Sequence, residues 1–367
     1  MILNEEQVML KETVAQFFAE QSPIEHLRAL GAGPLSEAYD RVLWSEMVGL
    51  GLTGITVPEE FEGLNFGWLA VGAIAQEAGR RLVASPFLSS VVFAQNVLLN
   101  CGSRSQIETH LPSLLSGEIT ASVALDEGRF FGPEAINARE SDDGISGVKT
   151  RVLNGQTSDF LLCVAKRTSG DLGVALISSE HTKINVDAKR SMDLHGHANI
   201  TLDSIPSTDI EWLAGDSVEA GLTKAIDQAT VVLAAEMMGS AREALERTVD
   251  YLGEREQFDV KLGTFQALQH RCAQMFCELE LAESAVSAAL MGLDHGAPNL
   301  SALASSAKAL ANDCFTLISS EAVQLHGGMG VTEEMDIGLF LKRSRVCNQL
   351  LGSSSYHRDR FARLSGF

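Results

Sequence analysis

Thr120-Ala-Ser-Val-Ala-Leu125 opens the stretch that decides the fold. Short alternating or β-branched runs follow it: Gly147-Val-Lys-Thr-Arg-Val-Leu153, Phe160-Leu-Leu-Cys-Val-Ala165, Gly173-Val-Ala-Leu-Ile177 and Asn199-Ile-Thr-Leu202, with Gly, Asp, Ser and Asn between them. Such runs predict strands, so residues 116–215 are expected to form a β domain, a barrel or sandwich.

On both sides the period changes. Before the β stretch, apolar residues recur at helical spacing in Val8, Leu10, Val14, Phe17 and Phe18, through Leu43, Trp44, Met47 and Val48, and through Val71, Ile74, Ala75 and Ala78. After it, Leu222, Ile226, Ala229, Leu233, Met237, Ala241, Leu245, Val249 and Leu252 share one face of a long helix from Val218 to about Arg255. A second helix is predicted from Phe265 to Leu293, and a third over 301–325 that stops at Gly327-Gly328. The expectation is an α+β chain with an N-terminal helical domain over 1–115, the β domain, and a C-terminal four-helix bundle over 216–367. Strands and helices are segregated rather than alternating, which disfavours a parallel α/β sheet.

The chain has 367 residues, 45% hydrophobic and 21% charged, with 48 acidic against 28 basic side chains for a net charge of −20. That composition supports a sizeable core and excludes disorder as the main state. An acidic chain without a dense Lys/Arg run is not expected to bind nucleic acid or anionic membranes. No apolar stretch reaches the roughly 20 residues of a membrane span, and Glu5, Glu6, Lys11 and Glu12 break the N-terminal apolar pattern. A cytoplasmic location is the expectation. Cys101, Cys163, Cys272, Cys277, Cys314 and Cys347 lack paired spacing and read as reduced thiols, with no metal site.

Gly49-Leu-Gly51-Leu-Thr-Gly54 spells G-x-G-x-x-G, but a helical pattern precedes it and Pro58 follows, so it reads as a glycine-rich turn rather than a dinucleotide fingerprint. No nucleophile elbow, zinc helix or P-loop is present, and the pair His195 and His197 has no ligand spacing. Two C-terminal segments carry more. Tyr251-Leu-Gly-Glu-Arg-Glu-Gln-Phe-Asp259 lies where a long helix ends, and Ala322-Val-Gln-Leu-His-Gly-Gly-Met-Gly-Val331 combines a helix end with a glycine cluster. Arg255 can neutralise a phosphate, Gln257 and Gln324 can donate to it, and Gly327 and Gly328 let backbone approach a flat ligand.

With Gly51-Leu-Thr-Gly-Ile-Thr-Val-Pro-Glu-Glu-Phe-Glu-Gly-Leu64 and Gln76-Glu-Ala-Gly-Arg80, these elements resemble the acyl-CoA dehydrogenase family in order and distance. The resemblance implies a helix, sheet, helix architecture and FAD-dependent α,β-dehydrogenation of acyl-CoA thioesters. A glutamate removes the α-proton while hydride leaves for the flavin. In most members that glutamate precedes Gly-Thr in the C-terminal loop, where Gln349-Leu-Leu-Gly352 places Leu351. In a minority it sits on the first long C-terminal helix, where Asp227-Gln-Ala-Thr230 places Ala229. Neither residue titrates. The family's flavin-facing hydroxyls and indole are replaced by Leu125-Asp126-Glu127, Gly128-Arg-Phe-Phe-Gly132 and Arg151-Val152-Leu153, and a family Arg-Asp pair by Lys342-Arg343.

Each FAD in the family is shared between subunits, and the adenosine and pyrophosphate contacts are the set that persists here as Arg255, Gln257, Phe258, Gln324, Gly327 and Gly328. The resemblance therefore implies a non-catalytic subunit that donates FAD contacts to a homologous catalytic partner. The implied assembly is an α2β2 complex like those of bacterial steroid side-chain degradation, with acyl-CoA mainly on the partner and an electron-transfer flavoprotein as acceptor. Two alternatives stay open: a self-sufficient homotetramer with a relocated base, and a non-enzymatic scaffold.

Overall fold

A computed structural model describes residues 3–129 and 131–367. Its helices α1 (Glu5–Gln21), α2 (Ile24–Ala32), α3 (Arg41–Gly49), α4 (Trp68–Arg81), α5 (Gln95–Cys101) and α6 (Arg104–Leu115) precede the strands, and a wide-turned π-helical segment, Phe87–Ala94, leads into α5. The strands are β1 (Ala121–Ala124), β2 (Arg139–Ser141), β3 (Gly144–Leu153), β4 (Phe160–Lys166), β5 (Leu172–Ser178), β6 (Ile184–Arg190), β7 (Gly196–Ile205) and β8 (Glu211–Trp212). Helix α7 (Val218–Glu254), a hairpin of β9 (Glu256–Gln257) and β10 (Val260–Lys261), and helices α8 (Gln266–Asp294), α9 (Leu300–His326), α10 (Ile337–Cys347) and α11 (Ser354–Leu364) complete the chain. The α+β class read from the sequence is the class observed, and in the glycine-rich segment 49–54 Gly49 ends helix α3 while Leu52–Gly54 form a short 3-10 turn.

The sheet is mixed. Its order is β6-β7-β3-β2-β4-β5-β8, with β1 parallel to β4, β2 parallel to β4 and the other neighbours antiparallel. Ile145, Leu161, Cys163, Ile177, Ile200, Leu202 and Ile205 bury its apolar face. Strand β6 gives a weak sequence signal because Ile184 and Val186 are only partly covered and alternate with Asn185 and Asp187 on a sheet edge.

By contact the residues sort into two compact units. Among the described residues, one comprises 3–25, 68–83 and 230–367, and the other 26–67 and 84–229. The units cut across the textural segments 1–115, 116–215 and 216–367, because α1 and α4 belong with the C-terminal helices, whereas α3, α5 and α6 belong with the sheet.

Two glycines fix α4 against α7 in the first unit. A Cβ on Gly79 would stand 2.0 Å from the Glu236 carbonyl oxygen, and one on Gly239 would stand 1.9 Å from that of Gln76. Ser240 Oγ donates to the Gly79 carbonyl at 2.9 Å. The helices thus meet backbone to backbone, and the Asp294 carboxylate at the end of α8 caps α4 by accepting from the amides of Trp68 and Leu69. Arg80, beside the crossing, pairs with Glu243 at 2.9 Å and with Glu246.

Gly239→Ala should therefore lower unfolding stability by about 3 kcal/mol, since backbone has no rotamer by which to yield. Gly253, with open space around its Cα, is the control: its alanine variant should gain up to about 1 kcal/mol from helix propensity. Urea unfolding of both variants reads the difference, and equal effects would discard the crossing as the cause.

Candidate functional site

Helix α7 ends at Glu254, and residues 253–261 are all exposed. The Arg255 amide donates to the Tyr251 carbonyl at 2.8 Å and the Leu262 amide donates back to the Arg255 carbonyl at 2.9 Å, so the hairpin is rooted in the helix end. Gln257 pairs with Val260 and Glu256 with Lys261. Phe258 and Asp259 form the two-residue turn with φ of 57° and 63°. A turn with both central residues left-handed ordinarily takes Asn-Gly, and placing Phe there costs on the order of 1 kcal/mol. The ring gains little from its own chain in return. Phe258 is 84% exposed and touches Phe265 edge-on at 6.3 Å. The Gln257 side chain donates to the Glu256 carbonyl at 2.8 Å. Among the described residues, the Arg255 guanidinium has no hydrogen-bonding or ionic partner in a chain carrying 48 carboxylate side chains.

The second motif lies at the end of α9. The Tyr251 ring stacks on His326 at 4.3 Å and 22°, and the Tyr251 hydroxyl donates to the His326 carbonyl at 3.4 Å. His326 Nδ1 donates to the Ala322 carbonyl at 2.8 Å, and burial pushes the imidazole below its usual range, so a neutral ring meets the tyrosine. This stack joins the root of the Arg255 hairpin to the glycine cluster. Gln324 is exposed, its side chain unpartnered among the described residues. Gly327 ends the helix with φ 61° and ψ −141°, a glycine conformation. Gly328 meets nothing within 4 Å, so its own chain supplies no packing reason for the missing side chain. A guanidinium, two amides, an aromatic plane and bare backbone are the chemistry that suits a phosphate-bearing flat molecule.

Leu351 and Ala229, the positions the resemblance assigns to the base, are both buried. Ala229 is fully buried in α7; its neighbour Asp227 is buried, and Gln228 accepts from the Asn100 side chain at 3.0 Å. Leu351 is buried between α10 and α11 with φ 53°, followed by Gly352 with φ 101°. The turn is held through its carbonyls. His357 Nε2 donates to Leu351 at 2.7 Å, and the buried Lys308 ammonium donates to Cys347 at 2.9 Å, to Gly352 at 3.3 Å and to Asn312 Oδ1 at 2.7 Å. Sequence reasoning missed Lys308, Asn312 and His357. Their signal was there: Ala304-Ser-Ser-Ala-Lys-Ala-Leu-Ala311 places one cation in an otherwise small, uncharged run.

The β-domain substitutions fall together. Asp126 pairs with Arg151 at 3.2 Å, and Glu127 pairs with the fully buried Lys149. Phe130 lies outside the described residues. Arg343 is buried in α10 and pairs with Glu236 at 3.1 Å. Asp126, Glu127, Lys149 and Arg151 therefore spend their charge on one another, and this donor set does not fit a flavin ring. No helix among the described residues is long and apolar enough to cross a membrane.

Burial, with the Lys308 charge adding to it, pushes His357 down to about 3. Between that value and the usual 6.5 or so, the unfolded chain binds a proton that the folded chain refuses. Stability is full above the upper value and is lost as pH falls toward the lower one. His357→Gln keeps a donor for the Leu351 carbonyl and removes the titration, so its melting temperature should fall less between about pH 7 and pH 3.5 than that of the parent. Parallel curves would assign the acid lability elsewhere.

Residues 4–118 match the family model described as acyl-CoA dehydrogenase, N-terminal domain, and residues 221–365 match acyl-CoA dehydrogenase, C-terminal domain. The chain is 34% identical over 316 residues to acyl-CoA dehydrogenase FadE34 of Mycobacterium tuberculosis, covering 86% of this chain and 40% of that protein's length. It is 30% identical over 351 residues to acyl-CoA dehydrogenase IpdE2 of the same organism, covering 95% of this chain and 94% of the relative. Among solved structures, a Tcur3481-Tcur3483 steroid ACAD variant superposes with a TM-score of 0.88 at 29% identity, with 98% of each chain covered. The ChsE4-ChsE5 complex from Mycobacterium tuberculosis shares the fold, with a TM-score of 0.88 at 24% identity over 100% of this chain and 99% of that one.

Proposed function

This chain belongs to the acyl-CoA dehydrogenase family, and on that premise we propose that it is the non-catalytic subunit of a hetero-oligomeric acyl-CoA dehydrogenase. The observation that carries the reading is the Arg255 hairpin. Among the described residues the Arg255 guanidinium has no partner, the exposed Phe258 sits in an unfavourable turn three residues on, and the Tyr251–His326 stack links the root of this hairpin to the glycine cluster. Such groups serve a ligand from outside the chain.

Arg255, with Gln257 and Gln324, would hold the pyrophosphate of FAD, and Phe258 with Gly327 and Gly328 its flat adenosine portion. When bound, FAD supplies the hydride acceptor for α,β-dehydrogenation of the thioester. The α-proton is left to a carboxylate on the partner, because Leu351 and Ala229 are apolar and buried where the family places its base. The acyl-CoA accordingly lies mainly on a homologous catalytic subunit in an α2β2 assembly, FAD is shared across the interface, and an electron-transfer flavoprotein takes the electrons. The likeness to a heteromeric steroid ACAD supports the assembly and points to a CoA ester of a steroid side chain. A cytoplasmic location belongs to the same reading.

Co-expression with a catalytic homologue tests it. In the purified complex, Arg255→Ala should weaken FAD retention roughly tenfold to a hundredfold, the worth of a charge-assisted hydrogen bond to phosphate, although the base sits on the other chain. Unchanged flavin absorbance after gel filtration would remove Arg255 from the clamp. A yellow, active homo-oligomer from this chain alone would overturn the whole reading.

A further inference from the structure

The exit of β1 is stitched to β3 by four charges within one compact unit. Lys149 is fully buried, and its ammonium donates to the carbonyls of Leu125 and Val164 and to the Glu127 carboxylate. Glu127 also accepts from the backbone amides of Asn137 and Ala138, the latter at 3.0 Å. Beside this closed pair, Asp126 meets Arg151 at 3.2 Å. The Asp126 carbonyl accepts from the Thr150 amide at 2.7 Å, and the Thr150 hydroxyl accepts from the Gly128 amide at 3.1 Å. Arg151 itself is left-handed, with φ 54°, at an irregularity between Lys149 and Val152 in the pairing of β3 with β7.

The four charges cancel. Burial pushes the Asp126 carboxyl up, which Arg151 offsets, and pushes the Lys149 ammonium down, which Glu127 offsets, so each member depends on its partner. The pairing is complete for Lys149, whose three protons all find acceptors. It is not complete for the other pair: among the described residues Asp126 Oδ1 and Arg151 Nε are buried without a partner. A flavin ring needs an apolar or aromatic wall and free donors along its polar edge. By the family resemblance the wall position falls on Arg151, whose guanidinium is engaged by the Asp126 carboxylate at an irregularity in the pairing of β3 with β7.

We propose that the Asp126–Arg151 pair takes the place of the flavin ring on this chain's own sheet and excludes it. The proposal rests on the family reading for which strands would face the ring, and it deepens that reading by naming the residues that refuse it. Arg151 is the selecting residue. It commits its positive charge to Asp126 rather than to a ligand, and backbone strain at its own position is tolerated only because the pair and the Asn199 side chain, which accepts from the Arg151 amide at 3.3 Å, hold it there.

Riboflavin, the ring without phosphates, is the probe, because its binding does not depend on the Arg255 clamp. Titrated against the full chain, it should show no saturable fluorescence quenching with the parent or with Arg151→Lys, which keeps the pair. The double variant Asp126→Ala with Arg151→Ala removes both charges and should gain saturable quenching and a rise in melting temperature with riboflavin. Binding by the parent overturns the proposal, as does a cooperatively unfolding double variant that still refuses the ring. Failure of the Arg255 test leaves these outcomes untouched, so the two readings fall separately.

Discussion

The backbone contact between α4 and α7 is the constraint around which the helical unit is arranged. Helix axes usually keep 8–10 Å apart because side chains intervene. At Gly79 and Gly239 none does, and each helix presses a backbone carbonyl into the space a Cβ would need. Such a contact has one register. Sliding either helix by one residue would drive a side chain into a carbonyl oxygen. Once α4 is fixed, Asp294 at the end of α8 can cap it, and Arg80 reaches the carboxylates of α7. The direction of α7 is then set over its whole length, and with it the place where the helix ends and the Arg255 hairpin begins.

Charge is handled differently in different parts of the molecule. The chain carries 28 basic against 48 acidic side chains, and several of its cations are engaged within the fold. Arg80, Arg242, Arg247 and Arg271 each meet carboxylates, and Lys308 is surrounded by carbonyl oxygens deep among the C-terminal helices. Arg255 follows neither pattern, although Glu254 and Glu256 flank it. The helix end and the tight turn direct the chain so that its guanidinium is not drawn into an internal pair. An acidic protein can bind an anion in this way, by placing one donor rather than by its overall field.

The sheet-bearing unit spends its charges inwardly. Glu127 and Lys149 complete each other, whereas Asp126 and Arg151 leave one oxygen and one nitrogen unmatched. A self-contained ionic cluster at the junction of β1 and β3 gives the strands a reason to stay together that requires no bound molecule.

The sequence by itself determined the segregation of helices and strands, because hydrophobic period is a local property. It also located α7, the turn nature of residues 49–54, the family, and the two motifs around Arg255 and Gln324, since these are contiguous and keep family spacing. Edge strand β6 and the tiny hairpin β9–β10 were not legible, being too short or too exposed for a clear period. Tertiary structure alone decided which separated residues meet. Tyr251 stacks on His326, Asp126 finds Arg151, and Lys308 with His357 holds the Leu351 turn. The physical reason is that an ion pair or a ring stack joins positions tens of residues apart. No local pattern records such a partner, and whether a cation is paired or left for a ligand emerges only when the helix ends and strand registers have been placed.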